Sequence, residues 1–203
     1  MKPAEHHETI RNTLLTCGIL LESDPKLPSI SNIIAGGTVR GSWWGHPSGG
    51  AIYAALQWLA DQTDVTVAKL VSQKITYIHR DFWPALIAIG QAREPWQMDG
   101  LSRQAKSALD EVAHEGYIHP DHAAHKNAPK VVRELETRLL IHSFSVHTES
   151  GAHAKCLESW DHWVTRVGFV PVQKLTTRQA KRKFEDALQI LNERYSAVGR
   201  LPW

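Results

Sequence analysis

The chain has 203 residues, 42% of them hydrophobic and 22% charged, with a formal net charge of +2. That supports one ordinary domain or two small ones, each able to bury a core, and excludes a disordered chain. Two cysteines, Cys17 and Cys156, are too few for a disulfide scaffold, and the longest apolar run, Leu14 to Leu21, is broken by Thr16 and Gly18 and too short to span a bilayer.

Glu5 and Glu8 stand where a secretory leader would be basic, so the expectation is a cytoplasmic protein with reduced thiols and no membrane partner. The charge is too mild to name a partner. Eight tryptophans and twelve histidines are the unusual features. A surplus of indole rings points either to stacking surfaces and a large pocket or to an aromatic-rich core.

Ala4 to Glu22 reads as a helix with Ile10, Leu14, Cys17 and Leu21 on one stripe, stopped by Asp24-Pro25. A short helix follows from Pro28 and ends at Gly36-Gly37, and Gly41 to Pro47 is a loop. Ser48 precedes a helix over Ala51 to Gln62. Asp64 to Arg80 alternates as a β-hairpin. With Ser72-Gln73 as its turn, Lys69 pairs with Thr76 and Val67 with Ile78. Phe82 to Gln91 is a further helix.

The second half repeats the order. Ser102 caps a helix to His114, a His- and Pro-containing loop follows, and Val131 to Leu139 is helical. Leu140 to Thr148 alternates as a strand. Ser150 then opens a helix with His153, Leu157, Trp160 and Val164 on its stripe, and the last helix starts at Thr177 and buries Phe184, Leu188, Leu191 and Tyr195. The expected fold is α+β and mainly helical: two winged-helix-like units with hairpin wings, over residues 1–100 and 101–203.

Four groups of residues carry candidate chemistry. Lys69, Lys74 and Arg80 share one face of the first hairpin, where a wing following a phosphate backbone needs cations; a solvated strand edge gives the same pattern. In Gly41-Ser42-Trp43-Trp44-Gly45-His46-Pro47, one ring can anchor the core while the other offers a stacking face, with Arg40 near a phosphate and His46 near a base edge. The competing reading has both rings plugging a seam. Glu149 lies between His147 and His153 at an expected helix start, where a carboxylate orients a water or simply suits the helix dipole. His119, His122 and His125 lack metal-ligand spacing, and phosphate-loop, dinucleotide and zinc-protease patterns are absent, so neither a metal nor a nucleotide cofactor is expected.

Leu27-Pro28-Ser29, the Arg40 to Pro47 run, Lys69-Leu70-Val71, Lys74-Ile75-Thr76 with His79-Arg80, Glu134-Leu135-Glu136 and His147 to His153 together resemble AlkZ-related bacterial proteins, a family similar to winged-helix DNA glycosylases. The resemblance implies excision of a modified base by N-glycosidic hydrolysis, in repair or antiviral defence, with DNA as partner and no cofactor. The family's Gln-apolar-Gln or Gln-apolar-Asp motif has one counterpart, Gln97-Met98-Asp99, in a linker flanked by Pro95 and Gly100. Asp99 and Glu149 therefore compete for the water-positioning carboxylate, with His147 as a relay, while Trp43, Trp44, His46 and His153 hold the base. A non-catalytic winged-helix DNA-binding protein is the alternative, and a protein-interaction module a third class.

Overall fold

The computed structural model describes residues 3–120, 128–147, 153–171 and 173–203. It is a mainly helical α+β protein with two small antiparallel sheets of three strands each. The first half runs α1 (Pro3–Cys17), β1 (Ile19–Leu21), α2 (Ile30–Ala35), α3 (Gly49–Ala60), β2 (Val65–Lys69) and β3 (Ile75–His79). Its sheet has the order β1-β3-β2. After α4 (Trp83–Gly90) and the short α5 (Pro95–Met98) come α6 (Arg103–Glu115), β4 (Tyr117–Ile118), α7 (Pro129–Thr137), β5 (His142–His147) and β6 (His153–Glu158). This second sheet has the order β4-β6-β5, so the first-third-second arrangement occurs twice. Helices α8 (Trp160–Arg166) and α9 (Thr177–Tyr195) close the chain. No described helix is long and apolar enough to cross a membrane.

Four sequence expectations give way to longer-range pairing. Helix α1 stops at Cys17 because Gly18 takes a left-handed φ of 72° and donates its N–H to Leu14. Ile19, Leu20 and Leu21 then turn into a fully buried strand on β3. A Cβ on Gly18 would lie 1.9 Å from the Phe82 ring, so only glycine fits this turn.

The hairpin register is one residue away from the expected one: Lys69 faces Ile75 and Val67 faces Tyr77. Leu70 and Val71 leave the strand and become fully buried in the connection, each worth ~1.5–3 kcal/mol of burial, more than a tight Ser-Gln turn offers. The segment expected as one helix from Ser150 is strand β6 followed by α8, with the Ser159 hydroxyl capping the latter by accepting from His162 N–H. Tyr195 is 36% exposed, because Ser196 turns left-handed and ends α9 beside it.

Three apolar clusters form the core. The largest takes residues from both halves: Trp83 packs edge-on against Trp163 and Phe169, while Phe184 and Leu188 of α9 cover α4. The Trp160 N–H donates to Leu139 carbonyl, and its ring lies against Gly90, where a Cβ would meet it at 2.1 Å.

Candidate functional site

Each sheet ends in an edge strand, β2 in the first and β5 in the second, and both border one cleft of about 690 Å³. That volume lies inside the roughly 300–1,000 Å³ of small-molecule sites. Tyr77, Trp83, Phe144 and Trp163 give it aromatic walls, and two polar groups give it chemistry.

The first group centres on Glu158, fully buried on β6 directly across from His142 on β5. Its Oε1 meets His142 Nδ1 at 2.8 Å and Arg166 Nη2 at 2.5 Å; its Oε2 meets His162 Nδ1 and Arg166 Nε, both at 2.9 Å. Burial alone would raise this carboxyl. The bonds from Arg166, His142 and His162 outweigh it and bring the pKa down to about 2. Burial pushes His142 below the ordinary histidine range. A neutral ring facing an ionised carboxylate carries its proton on Nδ1, which leaves Nε2 to accept from the Thr66 hydroxyl at 3.2 Å. Thr66–His142–Glu158 is thus a hydroxyl–imidazole–carboxylate chain joining the two edge strands.

The second group is Glu136, at the end of α7 and 6% exposed. Lys69 of β2 pairs with it at 2.7 Å, Lys155 of β6 pairs with its other oxygen, and Ser143 donates to it. Burial opposes its ionisation, but Lys155, Lys69 and Ser143 prevail and hold the carboxyl below its usual range. The Lys69–Glu136–Lys155 group carries one surplus positive charge, which the cleft lining as a whole balances, with Glu22 and Asp61 set against Arg166.

The sequence-selected residues are dispersed. Lys69 is committed to Glu136, and Lys74 to Asp24 at 2.6 Å. The hairpin connection itself is covered by the C-terminal segment, with Ser72 N–H donating to Arg200 carbonyl. Arg80 is exposed and lies over the Trp83 and Phe169 rings. Trp43 is buried and donates to Glu22 at 2.9 Å, while Trp44 stacks on it at 4.1 Å and is 68% exposed. His46 accepts from Ser48 N–H near the start of α3, and Arg40 is exposed.

Asp99 is exposed at the end of α5. Gln97 beside it is spent on structure: its amide donates to Ile89 and Arg138 carbonyls and its oxygen accepts from Glu94 N–H. Glu149 lies outside the described residues, as do His122 and His125. Residues 153–158, expected to be helical, are strand β6; His147 and His153 face each other as the outermost described pair of β5 and β6.

Thr66, Glu136, His142, Lys155 and Glu158 escaped the sequence reading as site residues. The signal available was the alternation through residues 142–146, whose polar members on an edge strand face the cleft. Among the described residues no cluster of three or more histidine, cysteine or acidic side chains can hold a metal ion. Comparison with protein-family models, curated proteins and solved structures finds no match to this chain.

Proposed function

We propose that this chain is a tandem winged-helix protein that binds DNA, takes an extruded modified nucleotide into the cleft between its two sheets, and hydrolyses the N-glycosidic bond. The observation that carries the reading is the first-third-second antiparallel sheet of both halves, which leaves edge strands β2 and β5 facing one polar, aromatic-walled cleft; two α-helices lie between the first two strands of the first half, and α7 alone among the described residues of the second. Helix, strand, helix, helix, strand, strand is the order of a winged helix, and α3 is its groove-facing helix. The outward positions of α3, Gly50, Ala51, Tyr53, Ala54 and Gln57, carry no charge, so hydrogen bonding to base edges falls to Gln57 and Tyr53. Trp44 and Tyr53 stand beside them, ring centres 5.9 Å apart.

Cleavage develops positive charge on the sugar, which the cleft-lining carboxylates Glu136, Glu22 and Asp61 together oppose. The attacking water loses its proton through the Thr66 hydroxyl to Nε2 of neutral His142, and the Glu158 carboxylate on Nδ1 stabilises the imidazolium that forms. No cofactor enters these steps.

The test is incubation with plain, alkylated and glucosylated DNA, followed by alkali cleavage at abasic sites. Abasic sites in one modified substrate, lost in Glu136→Gln while salt-dependent DNA binding persists, support the reading. Loss in Glu149→Gln with Glu136→Gln unaffected would move the carboxylate role to Glu149. Intact DNA in every case with binding retained would leave a winged-helix DNA-binding protein. Trp44→Ala is expected to weaken DNA binding by ~1–3 kcal/mol, the worth of one base–aromatic stack, with no change in thermal midpoint; fluorescence anisotropy and a melting curve check both.

A further inference from the structure

We infer that Lys155 is an amine nucleophile for the aldehyde of an abasic deoxyribose, so that the cleft cuts the DNA strand at the abasic site as well as releasing the base. The inference rests on the excision reading above, because that reaction delivers an abasic sugar to this cleft. Its own support is the placement of two lysines and one carboxylate. Lys155 and Lys69 both line the cleft and share Glu136, and Lys155 is the more open of the two, at 38% side-chain exposure against 23%. An amine nucleophile needs a neighbour that can take its proton and return it; Glu136 touches Lys155 directly, and because the pair rests as ammonium and carboxylate, the proton crosses only as the amine engages the aldehyde. Lys69 on the other carboxylate oxygen keeps one cation beside Glu136 throughout.

The step balances without any oxidant or reductant. Lys155 gives a proton to Glu136, and the neutral amine adds to C1′ of the ring-opened sugar to form a carbinolamine. Glu136 returns the proton to the carbinolamine hydroxyl, which leaves as water and generates an iminium ion. Glu136, again a carboxylate, removes a proton from C2′; the C3′–O bond breaks and the 3′ phosphate departs with its electron pair. Water then hydrolyses the remaining imine and frees the lysine.

The experiment uses the full chain and an oligonucleotide carrying a preformed abasic site, with sodium borohydride present to reduce any iminium to a stable secondary amine. The expected result is a covalent protein–DNA adduct that maps to the peptide containing Lys155 and is lost in both Lys155→Ala and Lys155→Arg. The arginine variant keeps the charge beside Glu136, so a folded Lys155→Arg protein without adduct separates lost nucleophile from lost fold. An adduct that maps to Lys69, to the N-terminus or to another amine overturns the assignment. Base release from modified DNA with no adduct on the abasic oligonucleotide overturns this inference and leaves excision standing. An adduct at Lys155 with no base release supports the lysine assignment, on abasic sites formed elsewhere, and removes the excision reading.

Discussion

Glu158→Ala is expected to cost about 3–5 kcal/mol, because three cationic or polar side chains lose a fully buried acceptor at once. Against a typical total of roughly 5–15 kcal/mol, that change leaves little of the folded population's margin. The two sheets are coupled through this residue. His142, held by Glu158, meets Thr66 of the other sheet, so the variant loosens the cleft wall as well as the second sheet. Urea unfolding at pH 7 measures the loss, and a shift under ~1 kcal/mol would show that water replaces the carboxylate there.

The same group sets an acid limit. A carboxyl at about 2 in the folded protein and about 4.3 in an unfolded chain stabilises the fold fully above that upper value, and the stabilisation drains as pH falls towards the lower one. His142 acts in the same direction at higher pH. Burial depresses its folded pKa, so below about 6.5 the unfolded chain binds a proton that the folded chain resists. Stability is therefore expected to begin declining below about pH 6.5 and to steepen below about 4.5, with the upper limb missing in His142→Gln. A flat profile between pH 7 and pH 4 would contradict the neutral imidazole on which the cleft's proton path depends.

What was legible in the sequence was local. Ser102 before a 3.6-residue pattern, Gly36 after the short isoleucine helix, and the alternation through Val65, Val67 and Ile75 each announce an element through its own neighbours, and each element is present. Strands β1 and β6 are different. Ile19-Leu20-Leu21 continues the apolar stripe of α1, and Leu157, Trp160 and Val164 happen to fall at helical spacing, so nothing local marks either strand. β1 exists because β3, far along the chain, offers it a ladder and a buried face, and β6 because it is held between the adjacent β5 and the distant β4.

The site was hidden for the same reason. The sequence draws the eye to unusual composition, Trp43-Trp44 and the histidines around Glu149, whereas the cleft's two polar groups assemble ordinary residues from β2, α7, β5, β6 and α8. Glu136 has an exposed-looking helical neighbourhood in sequence, and only the meeting of α7 with β2 and β6 brings Lys69 and Lys155 to it. Lys69 and Lys74, attractive as free wing cations, have acids waiting 67 and 50 positions away along the chain. Charge in a sequence says little about where it is spent.

Trp160→Ala is the second change expected to carry a large effect, about 3–5 kcal/mol for a fully buried large aromatic side chain. Trp160 begins α8 and reaches Gly90 at the end of α4, so its ring joins the second half of the chain to the first. Its N–H also satisfies the carbonyl of Leu139, a residue at a φ of 55° that a turn of this shape tolerates only while its surroundings hold it. Trp160→Phe keeps most of the ring but drops that hydrogen bond, and is expected to cost about 1–3 kcal/mol. The spread between the two variants separates packing from polar satisfaction. Gly90→Ala attacks the contact from the other side: with no room for a Cβ, the ring must shift, and about 1–3 kcal/mol of overpacking follows. If Trp160→Ala and Gly90→Ala act through this one contact, their double variant falls short of the sum, since a ring already removed leaves nothing for the new methyl to strike.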